Sequence, residues 1–372
     1  MFLCRRIRIG TTPRWWADDT VFRRGGAESF GRRGRDYSTA SVLVGSNGDG
    51  YVPLSYQYVT SDADEDRDVV NKNANGKKLC VMVHGMLGQG KNLRTFARRI
   101  VSKYPDLFDV LLVDLRGHGK SPAVPVEERD APGGRNTVHA CAKDVLALFD
   151  RIGRQPDVLI GHSFGGKVAL SVLGEMVSPD NQDVYTTNPI LPRTWVWDSV
   201  PCEVAPSNYS NSTPSVFEAL HKIKEPIESK KHVLAEFEKH DVHKNIAMWM
   251  TTNMVLHPTV AHKYNWAFNL QSCEELYDSY CKTDLLDIFD NFPVVDAATV
   301  GASDGSAIVN FIRAGQNKIW SDELIEALET IHEDAYEGQV GLHIMEDLGH
   351  WIHSEDPDRV FSLLDGCTLS KF

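Results

Sequence analysis

The apolar run Asp157-Val158-Leu159-Ile160 leads into Gly161-His162-Ser163-Phe164-Gly165-Gly166, and a helical pattern begins near Gly165 with no linker between. A chain that passes from buried strand to helix in so few residues must turn sharply. Small residues two positions either side of Ser163 are what keep the two elements from colliding. Such a turn holds a hydroxyl clear of the sheet edge in a strained backbone, which is the presentation an attacking oxygen needs. As a bare string Gly-x-Ser-x-Gly is weak, because glycine and serine are common. Its place between strand and helix gives it weight over the bland alternative, a glycine-rich loop with a bystander serine.

The segments around this turn repeat the same rhythm. Residues 78–84 and 108–114 read as buried strands, 194–198 as one more, and 91–103, 137–152 and 165–177 as helices. Continuous apolar strands alternating with helices imply a mostly parallel sheet covered by helices on both faces. The rhythm breaks at a Pro/Ser/Asn-rich link over 202–214, and 215–290 reads as several helices with no strand among them. It resumes with a strand at 307–313, a helix at 321–333, a strand at 341–346 and a helix at 356–365. The simplest organisation is an α/β core in two parts, 38–200 and 293–372, interrupted by a helical lid over 201–292.

Two further segments carry chemistry. His84-Gly85-Met86-Leu87-Gly88 follows an early strand, where backbone N–H groups that receive a developing oxyanion are expected, and Met86 and Phe164 are the candidate donors. An ordinary strand-to-helix turn, with glycines allowing positive φ, is the alternative. Gly349-His350-Trp351-Ile352-His353 lies just past the last expected strand, so His350 is the candidate base. His353 could serve, but reads more simply as a polar residue entering the final helix. The other twelve histidines read as surface or core residues. The His240/His243 pair lacks a third ligand at helical spacing, so no metal is expected.

The acid is harder to place. Its commonest position follows the strand at 307–313, but Arg313-Ala314-Gly315-Gln316-Asn317-Lys318 offers no carboxylate. Asp198, ending the strand after the serine helix, can reach an imidazole from the neighbouring strand end and is the first choice. Asp322 is held in reserve, since after Ser321 it looks like a first-turn residue complementing a helix dipole.

Composition narrows the partners. The chain has 372 residues and a formal charge of −12, poorly suited to gripping nucleic acid. No run of about 18 apolar residues occurs, so no transmembrane segment is expected. Seven cysteines with no Cys-x-x-Cys pair argue against a disulfide framework or zinc knuckle and for a reducing compartment. The sequons at Asn208 and Asn211 then read as chance matches. Residues 1–37 hold nine arginines, no lysine and four acids, a net +5 that leaves −17 for the remainder. An Arg-rich leader on an acidic body is the composition of a mitochondrial transit peptide, with a mature N-terminus expected near Ser38 and a matrix address. A basic tail with no address is the alternative.

Taken together, His84–Gly88, Asp114-Leu115-Arg116-Gly117-His118-Gly119-Lys120-Ser121, Gly161 through Lys167, Tyr264-Asn265-Trp266-Ala267-Phe268-Asn269-Leu270 and Gly349–His353 resemble the α/β-hydrolase superfamily over roughly 78–365. The nearer likeness is to the mitochondrial alpha/beta hydrolase domain-containing protein 11 group and its small bacterial esterase relatives. The resemblance implies a serine esterase or thioesterase with a helical lid, a Ser163–His350–Asp198 triad and an acyl-enzyme, and it supports an acid after the sixth strand. No cofactor is required. The substrate would be a small-molecule acyl ester or thioester, and a protein partner is left open. Within the lid, Trp249 and Trp266 are candidate substrate contacts, with plain packing of the lid as the alternative. Segments 178–193 and 294–306 depart from the family pattern and bear on substrate choice. A serine at the turn argues against epoxide hydrolase or dehalogenase chemistry, which needs a carboxylate there. Transfer to an acceptor other than water, carbon–carbon hydrolysis and a non-catalytic binding role stay open, because one fold hosts many functions.

Overall fold

The computed structural model describes residues 51–61, 76–130, 135–178, 191–206, 212–290, 307–335 and 339–372. The chain divides into Met1–Leu43 and Val44–Phe372; the first unit, and with it the expected leader, lies outside the described residues. So do 294–306 and, within 178–193, residues 179–190.

Seven strands form one sheet: β1 (Tyr56–Val59), β2 (Lys78–Val83), β3 (Phe108–Val113), β4 (Val158–His162), β5 (Arg193–Trp197), and then, after an insertion, β8 (Val309–Ala314) and β9 (Val340–Met345). Their spatial order is β1-β3-β2-β4-β5-β8-β9. β1 runs antiparallel to β3 and has no counterpart among the strands expected from sequence; every other pairing is parallel. Strand order reverses at β2, with β3 on one side and β4 on the other. The crevice beyond the carboxyl ends of β2 and β4 is therefore the topological switch point where such sheets bind ligands.

Side-chain alternation builds a core on each face. Leu79, Val81 and Val83 of β2 join α2 (Val138–Ile152) and α3 (Phe164–Val177). Cys80 and Met82 face α1 (Arg94–Lys103) and α11 (Pro357–Cys367). The Thr137 hydroxyl caps α2 by accepting the Ala140 N–H, and Gly153, left-handed at φ 64°, ends it. α9 (Asp322–Asp334) is capped by Ser321, and Asp322 is exposed in its first turn.

Between β5 and β8 the chain leaves the sheet as α4 (Thr213–Leu220), α5 (Lys230–Lys239), α6 (Lys244–Met250), the antiparallel hairpin β6 (Met254–Leu256) and β7 (Tyr264–Trp266), α7 (Leu270–Lys282) and α8 (Asp287–Asp290). The hairpin corrects the all-helical expectation for 215–290. Its three-residue strands are too short for a period-two pattern to register. The insertion has a core of its own around Phe217, Phe237, Met250 and Phe268. Buried Lys167 of α3 donates to the carbonyls of Cys202 (2.9 Å) and Tyr280 (2.6 Å), tying the outgoing and returning chain to the sheet. Among the described residues no helix is long and apolar enough to cross a membrane, and no cluster of three metal-ligating side chains occurs.

Candidate active site

β4 ends at His162, and Ser163 takes φ 54°, ψ −122° before α3 starts at Phe164. That backbone is strained for a residue with a Cβ, and the packing around it is what holds it. A Cβ on Gly161 would lie 2.0 Å from the Gly165 oxygen, and one on Gly165 would lie 2.5 Å from the carbonyl oxygens of Val83 and His84. The glycines are thus required by close approach of strand, helix and neighbouring strand end.

The Ser163 Oγ lies 2.9 Å from His350 Nε2, and His350 Nδ1 lies 2.7 Å from Asp198 Oδ2. Because the carboxylate can only accept, Nδ1 carries the proton and Nε2 is left with a lone pair toward the serine. Asp198 is buried at the end of β5, with φ 47°. Its Oδ1 accepts from the Ala314 N–H (2.9 Å) and the Trp320 indole (2.8 Å), and its Oδ2 also accepts from Asn317 Nδ2 (2.6 Å). Three donors besides the imidazole compensate the burial of its oxygens. Asp322, exposed in the first turn of α9, is not part of this line.

Asn317 sits in the loop after β8, the place searched for a carboxylate. Its Oδ1 accepts the Ile319 N–H (3.2 Å), which turns its amide nitrogen toward Asp198. Looking only for an acid passed over this amide, although its position in the loop was the right one.

The backbone at His350 is held from both sides. His162 Nε2 donates to the His350 carbonyl (2.9 Å), and Glu355 accepts from the N–H groups of Gly349 (2.6 Å) and Trp351 (3.1 Å). Sequence carried no clear signal for these supports, since a glutamate five residues beyond a histidine is unremarkable on its own. His353, the alternative base, packs face to face on Trp197 and edge-on to His162, and does not meet the serine. It lies in the single turn α10 (Ile352–Glu355), ahead of the final helix α11 that it was expected to enter.

The loop 85–88 closes the other side. Gly85 abuts the turn, so that a Cβ there would lie 3.2 Å from Ser163 Cβ, and Leu87 is left-handed at φ 61°. Two buried histidines hold this loop. His118 Nε2 accepts the Leu87 N–H (3.2 Å), and His84 accepts the Leu115 N–H at Nε2 (3.0 Å) while its Nδ1 donates to the Gly85 carbonyl (2.8 Å). Burial lowers His84 to about 4 and His118 to about 3, so both stay neutral and keep the lone pairs these bonds need. Burial likewise lowers His353 to about 4 and takes His162 well below the usual range. Among the described residues the Met86 and Phe164 N–H groups meet no acceptor, and both residues line the cavity in front of Ser163.

That cavity measures about 310 Å³ and is walled by the serine turn, loop 85–88, the loop after β8, and Val216, Ile246 and Trp249 of the insertion. Trp249 touches Trp351 beside His350, with ring centroids 5.9 Å apart. Trp266 is elsewhere: it stacks on Phe268 in the insertion's own core and does not line the cavity. The site as a whole can move a proton from a serine hydroxyl to an imidazole backed by a carboxylate, with two free N–H groups nearby.

A serine on a strand-to-helix turn at the switch point of a seven-stranded sheet, aligned with histidine and aspartate, defines a hydrolase-type α/β protein. The model of the Alpha/beta hydrolase family matches residues 80–363, and the chain belongs to that family. It is 24% identical to mouse "sn-1-specific diacylglycerol lipase ABHD11" over 84% of this chain and 85% of the relative. It is 23% identical to Escherichia coli "Esterase YbfF" over 78% of this chain and 92% of the relative. Among solved structures, a marine microorganism esterase superposes with a TM-score of 0.56 at 17% identity, covering 85% of this chain and 99% of that one. The group that the motifs pointed to is thus the one that whole-chain comparison finds.

Proposed function

We propose that this protein is a serine hydrolase that cleaves carboxylic esters or thioesters of small or medium acyl groups. The observation that carries the reading is the line Ser163–His350–Asp198, at 2.9 and 2.7 Å, with its serine on the strained turn. Relatives named as a lipase and an esterase support ester hydrolysis as the general reaction.

In this mechanism Ser163 Oγ attacks the acyl carbonyl as its proton passes to His350 Nε2. The tetrahedral oxyanion takes hydrogen bonds from the N–H groups of Met86 and Phe164. Its collapse breaks the bond to the leaving oxygen or sulfur, which receives the proton from His350, and leaves the acyl group on Ser163. Water then attacks the acyl-enzyme. His350 takes a proton from that water and returns it to Ser163 as the carboxylic acid departs. Asp198 holds the imidazole in the tautomer both steps need. The 310 Å³ cavity lies at the small end of ligand sites, roughly 300–1,000 Å³, which favours short or medium acyl chains. We read the segment 201–292 as a lid, with Trp249 as its contact to the acyl chain. The arginine-rich composition of 1–37 supports a mitochondrial matrix address, for which sequencing of the mature N-terminus should begin near Ser38.

The test is hydrolysis of paired oxyesters and acyl-CoA thioesters of increasing chain length, with Ser163→Ala as the blank. Turnover lost on the order of 10⁴–10⁶ in the variant is the expected result. Equal rates for parent and variant, or no turnover of any pair, would overturn the reading.

A further inference from the structure

The hairpin inside the insertion presents apolar side chains to solvent, with nothing among the described residues to cover them. Leu256 is 71% exposed, and Val255 and Val260 are each 40% exposed. Exposed edge strands are normally blunted by charge, and β6, Met254–Leu256, carries none. The tip is nevertheless a built turn: His257 Nδ1 accepts the N–H groups of Thr259 (3.2 Å) and Val260 (3.0 Å), and the His257 N–H bonds the Lys263 carbonyl (2.8 Å). Leu256 and Val260 are therefore held outward from a shaped loop.

In sequence the tip differs in charge from the rest of the chain, although Glu225 and Glu228 of the preceding segment meet the hairpin, Glu225 accepting the Trp266 N–H. Residues 242–273 contain no aspartate or glutamate, in a chain that has 51 of them, and carry Lys244, Lys263 and three histidines. Lys263 approaches Glu228 at 3.4 Å, whereas Lys244 is exposed and forms no ion pair among the described residues. Exposed apolar side chains set in an acid-free, weakly cationic stretch are the pattern of an element that dips into a lipid interface and is drawn there by anionic headgroups. The same segment reaches the cavity. In α6, Ile246 and Trp249 line the cavity while Met248, between them in sequence, is 51% exposed.

We propose that the β6–β7 tip, with Leu256 and Val260 as its inserting side chains, docks this protein on an anionic lipid surface, where the insertion that walls the cavity meets the bilayer. This goes beyond ester cleavage, since docking requires no turnover.

The test uses the full chain carrying Ser163→Ala, with Leu256→Cys labelled by an environment-sensitive nitrobenzoxadiazole group. The probes are vesicles of phosphatidylcholine alone and of phosphatidylcholine with phosphatidylglycerol. A label at the exposed Glu326→Cys of α9 and the unsubstituted labelled chain control for the leader and for native cysteines. Emission from position 256 should shift blue and rise severalfold on anionic vesicles, with no change at 326. Leu256→Asp should weaken vesicle binding roughly tenfold or more, and loss of Lys244 about fivefold. In the chain with Ser163 restored, Leu256→Asp should leave turnover of a water-soluble short ester unchanged, so that failure to dock and failure to hydrolyse are read separately. No spectral change at 256, an equal change at 326, or equal response to neutral vesicles would overturn the proposal. A concentration-dependent dimer abolished by Leu256→Asp would assign the tip to self-association instead and equally overturn it.

Discussion

The cavity has two walls made in opposite ways. The sheet side is built from backbone: Ser163, Asp198 and Leu87 all have positive φ, Gly161 and Gly165 are forced by close approach, Ser163 and Asp198 directly follow the ends of β4 and β5, and Leu87 lies in the loop after β2. The inserted side is built from side chains on the helices α4, α6 and α7, with Ile246 and Trp249 facing in and Met248 facing out of the same two turns. Backbone geometry of the first kind tolerates almost no substitution and sets the reaction. Side-chain geometry of the second kind can be repacked, and it sets what is admitted.

The largest expected difference between the walls is in turnover. Asp198→Asn should lower kcat on the order of 10³–10⁴, because an amide at that position no longer fixes the His350 tautomer. Steady-state kinetics on a saturating ester checks this, and KM should move little. A loss below tenfold would mean that Asn317, not Asp198, organises the imidazole.

Acid sensitivity should follow the sheet side as well. His84, His118 and His353 are lowered to about 4, about 3 and about 4, and His162 well below its ordinary 6.5. As pH falls below about 6.5 the unfolded chain binds protons that the folded one refuses. Stability is therefore complete above 6.5 and is lost as pH falls toward 4, by up to about 1.4 kcal/mol per pH unit for each such histidine. Denaturant unfolding at pH 7.5 and 5.5 should show a clear loss. A flat profile would contradict neutral, buried histidines under the serine turn.

A smaller effect is expected at Glu355, which touches backbone on either side of His350 but no reacting atom. Glu355→Ala should lower kcat by roughly tenfold with KM unchanged, the scale of losing one or two charge-assisted hydrogen bonds to a loop. Glu355→Gln, still an acceptor, should recover part of it. Equal losses in both variants, or a change confined to KM, would remove the positioning role.

The smallest effect separates two tryptophans of the insertion. Trp249→Ala should change the dependence of kcat/KM on acyl length by a few-fold, a fraction of the roughly 1–3 kcal/mol that a methylene in an apolar pocket is worth. Trp266→Ala should lower thermal stability and leave the chain-length profile as it was. The reverse outcome would exchange their roles.

Legibility in the sequence followed the same division. The glycines around Ser163, the apolar strands and His350 past the last strand could be read because close packing and strain allow few residue types there. With no carboxylate in 313–318, Asp198 was preferred for its place at a strand end, with Asp322 left open as the reserve. Asn317, Trp320 and Glu355 were not legible, because an amide, an indole and a surface glutamate are common and only the fold brings them to one point. Trp249 and Trp266 looked alike in sequence. Trp249 faces the cavity from α6, whereas Trp266 ends β7 opposite Met254, a pairing that three-residue strands do not announce.

The claim that Ser163, His350 and Asp198 act as one unit is tested most directly by covalent trapping. The intact chain is treated with a fluorophosphonate and the adduct located by peptide mass spectrometry. The account predicts one adduct per chain, on the peptide containing Ser163, with its rate of formation sharply reduced in His350→Ala and Asp198→Asn. No adduct, or labelling at Ser163 as fast in His350→Ala as in the parent, would contradict it.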